Sequence, residues 1–400
     1  MKVCLHTNWD ISPKYIGGTE RFLINLCKEL QTMGLEPFIV CSSKTDQIQI
    51  EGIQVIGRFL SDYNESKTIY PYFSSNFIKQ EIIGKEYSLE SLHRLSEYTS
   101  EQLKGIQADV FHLNSFISAS FLKPMNNYVI TNHENDREYD WYWGKGFFEF
   151  LKYHVVRGET NLHKFSHLFV PSTHYAKWFS VQFGLNVQSI NLGVPLNEFI
   201  VSNKDVALRN EYSFNQNEVI ILLPSRFQPY QKGHDIALAA CAILKKKGIS
   251  FKIIFTGVKN SSEKYLSDFD ALVLKYNLQN NVKVVTFSDM NEAYNNVDIV
   301  ISPERFCSYG LSISESLSLG IPTILSDIPT YKEIAQDSEN AFFFKSESYE
   351  DLADQLISVI STNCIRKRID ALKFRINNDI RTCAKSYIKT YLDINSAQSK

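Results

Sequence analysis

Arg226 and Lys232 stand six residues apart, and Gly233 follows at once with the start of a helical pattern. A guanidinium can grip a phosphate through two parallel hydrogen bonds, and an ammonium adds a compact point charge. Beside a helix N-terminus, whose open amides also favour anions, such a pair makes a diphosphate site. Taken bare, Arg-x5-Lys-Gly is also the pattern of two solvated surface cations. A second stretch with chemistry in it is DIVISPERFCSYGLSISESLSLGIPTILSD, residues 298–327. Gly310 there opens a helix at the end of a loop, a place suited to phosphate, and Glu315 lies one turn in. Its carboxylate is placed to accept hydrogen bonds from vicinal hydroxyls such as those of a ribose. Gly17 and Gly18 precede a helix, where a double glycine admits an anion close to the backbone or simply makes a tight turn. His133 sits at the carboxyl end of a strand, the edge of an α/β sheet where ligands bind, although a lone histidine is often structural. Trp141, Trp143 and Lys145 belong to an aromatic stretch, 140–158, with basic residues interleaved. It reads either as a helix packing its rings into a domain or as a ligand-facing or membrane-surface patch.

The elements that must hold these groups alternate. Residues 2–7 form a strand, a loop leads to the double glycine, and Phe22, Leu26, Leu30 and Met33 mark the buried stripe of a helix. A second strand follows, which is the opening of a Rossmann-like half. Residues 219–223 begin a second such half: strand, cationic loop, helix, then strands at 251–257, 282–287 and 298–302. Apolar, β-branched runs of this length are expected of parallel strands buried on both faces. Pro303 stops the last of them, and Gly320 suits the C′ position of the helix that follows. The fold class is therefore α/β, with two doubly wound halves. Asp268 and Asp270 look like a metal motif, but residues two apart on a helix point to different sides and read as solvated acids.

Four hundred residues suit two domains. A formal net charge of -2 gives no basic domain for nucleic acid to bind. Seven scattered cysteines without a Cys-x-x-Cys pair argue against zinc and a disulfide framework, and for a reducing compartment. With no signal-like start and no apolar run near ~18 residues, the expectation is a cytoplasmic protein without a membrane span.

Gly310, Leu311, Glu315, Ser316, Gly320 and Pro322 fall on the donor-binding signature of the family 4 glycosyltransferases of GT-B fold, often written E-x7-E. The chain resembles that family over nearly its whole length, most strongly at 219–327. The resemblance implies two Rossmann-like domains facing a central cleft: 1–195 on the acceptor side and 196–375 binding a nucleotide-sugar donor. The remainder, 376–400, would be a C-terminal helix or tail packing back towards the first domain. It further implies a retaining, metal-independent enzyme without a cofactor. Such an enzyme moves a sugar from a nucleotide-diphosphate donor to a hydroxyl of a glycan, glycolipid or other acceptor, in cell-envelope or other glycoconjugate biosynthesis. Arg226 and Lys232 would meet the donor diphosphate, Glu315 the ribose and Phe287 the base. Cys307, Ser308, Tyr309, Gly310 and Leu311 would line the donor sugar, with Gly17 and Gly18 facing the phosphates and acceptor. His133 would lie beside the reacting sugar and act through positioning and electrostatics. His112, in a matching strand end, is as readily a packing residue. Trp141, Trp143 and Lys145 are the acceptor-side candidates, and peripheral contact with the inner face of the membrane is compatible with them.

The first glutamate of the E-x7-E pattern falls at 307, where this chain has Cys307. A neutral thiol accepts hydrogen bonds poorly, so the donor sugar is expected to differ in the hydroxyls it offers, and Cys307→Glu to change donor preference. Glu304 reaching in as a substitute and weakened catalysis are the other options. Two other classes remain open on this fold: a nucleotide-sugar epimerase or phosphorylase, and a catalytically weak nucleotide-sugar-binding protein.

Overall fold

The computed structural model describes residues 1–11, 18–60, 88–143, 145–200, 211–212, 214–215, 217–228, 230–257, 263–287, 289–335, 338–362 and 368–398, without the side chains of 91, 141–143, 263–264, 368–370, 376–377 and 398. The chain divides into two compact units, Met1–Gly193 with Ile380–Lys400, and Val194–Asp379.

In the first unit the strands are β1 (Lys2–His6), β2 (Glu36–Cys41), β3 (Gln47–Ile50), β4 (Ile53–Gly57), β5 (Val110–Leu113), β6 (Tyr128–Thr131), β7 (Leu168–Val170) and β8 (Val187–Ser189). Between them come α1 (Gly18–Thr32), α2 (Leu89–Leu103), α3 (Phe116–Ala119), α4 (Asp136–Trp143), α5 (Phe147–Val156) and α6 (Thr173–Phe183). The sheet order is β3-β4-β2-β1-β5-β6-β7-β8. It is parallel except for the β3–β4 hairpin, turned at Glu51 and Gly52 with positive φ. One face carries Cys4, Phe38, Val40, Phe111, Leu113 and Ile130 into a core shared with Phe147, Phe148, Phe179 and Phe183. Alternate residues face the other way, as the two-residue period of a strand requires. There the C-terminal helix, Ile380–Gln398, lays Ile380, Cys383, Ala384, Tyr387, Tyr391 and Ile394 inward at helical spacing, all buried. His112 on β5 bonds the Tyr391 hydroxyl at 2.7 Å and Thr131 on β6 at 2.8 Å, and Thr131 bonds Tyr387 at 2.9 Å. Both imidazole nitrogens are thus engaged, which gives His112 its structural role.

The second unit has β9 (Val219–Leu223), β10 (Phe251–Phe255), β11 (Val282–Val284), β12 (Ile299–Ser302), β13 (Thr323–Ser326) and β14 (Ala341–Phe344). All pair in parallel, in the order β11-β10-β9-β12-β13-β14. Ile221, Leu223, Ile253, Phe255 and Ile301 join one core with Leu238, Cys241 and Leu244 of helix His234–Lys246. Ile220, Leu222, Ile254 and Val300 join a second, with Tyr294, Leu319 and Ile321. Both faces are covered, which is why these strands read as unbroken apolar runs. Each fully buried Ile or Leu contributes about 1.5–3 kcal/mol. The expected stop at Gly320 is a Schellman cap: φ is +71°, Gly320 N–H bonds Leu317 O at 2.9 Å and Ile321 N–H bonds Ser316 O at 3.1 Å.

Candidate functional site

In the second unit β9 and β12 are neighbours, yet the chain leaves them towards opposite edges of the sheet. In open α/β sheets such a switch point, at the carboxyl ends of the strands, is where ligands bind. Two segments meet there, 230–233 from the connection after β9 and 303–310 after β12. Arg305 joins them: its guanidinium forks onto Asp235 at 2.9 and 2.7 Å, bonds Tyr230 O at 2.6 Å and lies 4.4 Å over the Tyr230 ring. Its backbone N–H also bonds Gln231 O at 3.0 Å. The approach is so close that a Cβ on Gly233, at φ +67°, would lie 2.0 Å from Pro303 O. Gly257, at φ +80°, likewise leaves room for the backbone of Ser225 and Arg226, where a Cβ would meet Ser225 O at 2.5 Å. Only glycine fits both requirements at once.

Lys232 is carried on this locked corner. Its ammonium lies 2.7 Å from Glu304 Oε2, with side-chain exposures of 12% and 5%. Burial alone would drive the proton off, but the Glu304 carboxylate outweighs it and holds Lys232 above the ordinary lysine range. Arg226 is exposed, and its charge reaches Lys232. Cys307 is buried, and its thiol donates to Tyr309 O at 2.8 Å, while Cys307 O accepts from Thr330 at 2.7 Å. Ser308 and Tyr309 are buried in the same loop, which ends at Gly310, the N-cap of helix Leu311–Ser318. Gly310 brings no side chain to that end, so the first amides are left to other partners. Glu315 sits one turn in, half-buried, with Oε2 accepting from the buried Tyr294 hydroxyl at 2.7 Å. Phe287, beyond β11, packs half-buried against the core that contains Tyr294.

In the first unit, His133 follows β6 as expected. Its Nε2 lies 2.9 Å from Asn114 Oδ1, so Nε2 carries the proton and Nδ1 is an acceptor, buried without a partner. Burial lowers its pKa to about 4, so the ring is neutral near pH 7. Phe22 of α1 meets it edge-on at 5.8 Å. The next two residues also hold buried, unpartnered polar atoms, Glu134 Oε2 and Asn135 Nδ2. Burial, reinforced by Glu138, pushes the Glu134 carboxyl up to about 8. Asn135 and Glu138 form a reciprocal capping box at the start of α4, with bonds of 2.8 and 3.0 Å.

Of the residues singled out in the sequence, Lys232, Cys307, Ser308, Tyr309, Gly310, Leu311 and Glu315 lie in the segments that follow β9 and β12, with the exposed Arg226 near enough for its charge to reach Lys232. Gly18 begins α1 and is exposed, and Gly17 lies outside the described residues. Trp141 and Trp143 are on α4, their side chains outside the described residues, and Lys145 is exposed. The aromatic stretch divides: Phe147 and Phe148 are core, whereas Tyr153 is exposed beneath Arg157. Asp268 and Asp270 are solvated on their helix, and Phe269 between them is buried. The sequence reading missed Tyr294, Asp235 and Arg305 as the groups that fix the site. The signal for Arg305 was slight, a cation beside Glu304 in a loop without other charges. Among the described residues no helix is long and apolar enough to cross a membrane.

Known proteins bear out this architecture. A family model described as glycosyl transferases group 1 matches residues 205–373, and one described as glycosyltransferase family 4 matches 16–198. The O-antigen biosynthesis glycosyltransferase WclY of Escherichia coli is 32% identical over 28% of this chain and 35% of its own. The chain spans only 27% to 35% of the length of the first curated relatives it matches. The solved sucrose-phosphate synthase of Thermosynechococcus elongatus superposes over 99% of both chains, with a TM-score of 0.76 at 15% identity. HepE of Anabaena, solved with UDP-glucose, superposes over 98% of this chain and 100% of its own, with a TM-score of 0.65 at 17% identity. By its two family matches, its paired doubly wound units and these likenesses, the chain belongs to the family 4 glycosyltransferases of GT-B fold.

Proposed function

We propose that this protein is a retaining, metal-independent glycosyltransferase. It takes a sugar from a nucleoside-diphosphate donor and passes it to a hydroxyl of a growing glycan or glycolipid. The observation that carries the reading is Lys232, held charged at a topological switch point beside the loop that leads into helix Leu311–Ser318. A leaving diphosphate develops charge as the glycosidic bond breaks, and cations fixed in advance stabilise that charge most. Lys232 and Arg226 supply it, and the first amides of the helix add their dipole. Glu315, steadied by Tyr294, takes the ribose hydroxyls. Phe287 borders the base, and 306–311 line the sugar. Neutral His133, with Nδ1 an acceptor, receives a hydrogen bond from a sugar hydroxyl rather than a full proton. The departing diphosphate takes the acceptor's proton. The relatives support a role in surface-glycan synthesis, since WclY acts in O-antigen biosynthesis, and the HepE complex makes UDP-glucose the first donor to try.

The test is thermal stability of the wild type and of the Arg226→Ala/Lys232→Ala variant with UDP, GDP, ADP and their sugar conjugates. A ligand at ~100 times its dissociation constant adds about 2.7 kcal/mol to the folded state. One nucleotide should shift the wild type and leave the double variant unmoved; no shift with any of them refutes the donor site. With the responding donor, proton NMR of the product anomer checks retention, and turnover in EDTA checks metal independence.

A further inference from the structure

Glu304 is the one carboxylate in the loop 303–310, and it is 4% exposed. Its backbone carbonyl accepts from Ser326 Oγ at 2.6 Å, and its neighbour Arg305 is clamped on Asp235 and Gln231. Lys232 is equally fixed, its N–H bonded to Gln228 O at 2.9 Å and Gly233 wedged under Pro303. The backbones on both sides of the 2.7 Å pair are thus held in place, and the two charges part only by side-chain rotation. A carboxylate here is at odds with a site that must hold a diphosphate. Arg226 and Lys232 bring two positive charges, Glu304 cancels one, and Arg305 is occupied by Asp235. In a poorly hydrated corner a like charge a few ångströms from phosphate opposes its binding. It also gives the ammonium a partner when no ligand is present, and an uncompensated buried charge is costly. Cys307 sharpens the contrast. Where the family pattern places an acid, this chain has a thiol bonded to its own loop, and the carboxylate paired with Lys232 is that of Glu304.

We propose that Glu304 is the resident counter-ion of Lys232 and competes with the donor's diphosphate for it, which limits how tightly the nucleoside-diphosphate product is held. The inference rests on the reading of the second unit as the donor site. Glu304 is a positioning residue: it acts through Lys232 and makes no contact with the reacting carbon. Binding exchanges one anion for another on the ammonium, and release of product returns Lys232 to Glu304. Where product release limits turnover, such a competitor raises the rate at the expense of affinity.

The test is calorimetric titration of the full chain with UDP, GDP and ADP, using whichever binds the wild type, and with the corresponding nucleoside. Glu304→Gln keeps the shape and removes the charge. It is expected to lower the Kd of the diphosphate about tenfold and leave the nucleoside's Kd within about twofold. In a Lys232→Ala background the same substitution should gain clearly less, since only the direct repulsion between carboxylate and phosphate is then removed. An unchanged or raised Kd in Glu304→Gln, or an equal gain without Lys232, overturns the proposal. A purely structural role would weaken nucleoside and diphosphate alike. Should Glu304→Gln fail to fold, Glu304→Asp, with its carboxylate drawn back by one methylene, decides: a smaller tightening upholds the proposal and none overturns it. If the wild type binds none of the three nucleotides, the donor-site reading falls first and this inference with it.

Discussion

Removing one oxygen atom should loosen the C-terminal helix. Tyr391 is fully buried and its hydroxyl lies 2.7 Å from His112 Nδ1, on a strand 279 residues earlier. Tyr391→Phe keeps the ring, its stacking on Tyr387 at 6.2 Å and nearly all the buried apolar area. What it takes away is the partner of a ring nitrogen that has no access to water. Stranding such a group costs about 1–3 kcal/mol, more than the bond itself contributes, because the desolvation is no longer compensated. That energy corresponds to a drop of about fivefold to 150-fold in the protection of amides that exchange by local opening. Hydrogen exchange followed by mass spectrometry on peptides covering 380–398 and 110–113 reads it directly, without requiring that both units unfold together. Tyr387→Phe is the internal comparison. It removes only the outer bond to Thr131, leaves both His112 nitrogens paired, and should cost less. Protection of 380–398 within twofold of wild type in Tyr391→Phe would refute the idea that the polar network holds the helix. A loss spread evenly over residues 219–344 would refute it too, since those belong to the other unit.

Acid should destabilise the first unit. Burial draws the imidazoles of His6, His112 and His133 down to about 4, 3 and 4. A depressed histidine pKa contributes stability that is complete above the ordinary value of ~6.5 and drains away as pH falls below it. Between pH 7 and 5 the three together remove about 6 kcal/mol. Glu134, pushed up to about 8, works in reverse, because the folded state binds its proton more readily, and over the same interval it returns about 3 kcal/mol. The histidines win, so the urea midpoint of the first unit should fall from pH 7 to 5, and fall further in Glu134→Gln; a flat profile would contradict this. Gly233→Ala forces an alanine into φ +67° with its Cβ against Pro303 O, and should cost about 2–5 kcal/mol, seen as a lower urea midpoint for the second unit. Tyr294→Phe frees Glu315 from its 2.7 Å bond and should raise the Kd of a nucleoside diphosphate about fivefold to thirtyfold, while inorganic diphosphate binding stays unchanged. Equal weakening of both ligands would place Glu315 away from the ribose.

The parts of this protein that were plain in its sequence are those in which local chemistry and the final fold agree. The second unit's strands are buried on both faces, so their apolar runs need no partner to be recognised, and Pro303, Gly310 and Gly320 mark the ends of elements because proline and glycine restrict or free the backbone wherever they stand. A strand at Ile53 is legible, but its hairpin partner β3 is not, because an edge strand is half solvated: Gln47 and Gln49 are exposed, and the segment looks like loop. His112 could not be resolved from the sequence, since its partner Tyr391 arrives only when the last helix closes on the sheet. The same holds for the site. Lys232 and Glu304 are 72 residues apart, and nothing in either neighbourhood says that β9 will lie beside β12. Resemblance supplied the diphosphate pair and the place of the missing acid, but not what the residues there do instead. Cys307 is spent on the carbonyl of Tyr309, inside its own loop, and its charge would be felt by Lys232 if it had one. A glutamate at 307 would therefore have to share one ammonium with Glu304. With Glu304 as the counter-ion of Lys232, an acid at 307 would put a second negative charge beside the one ammonium, which the thiol of Cys307 avoids.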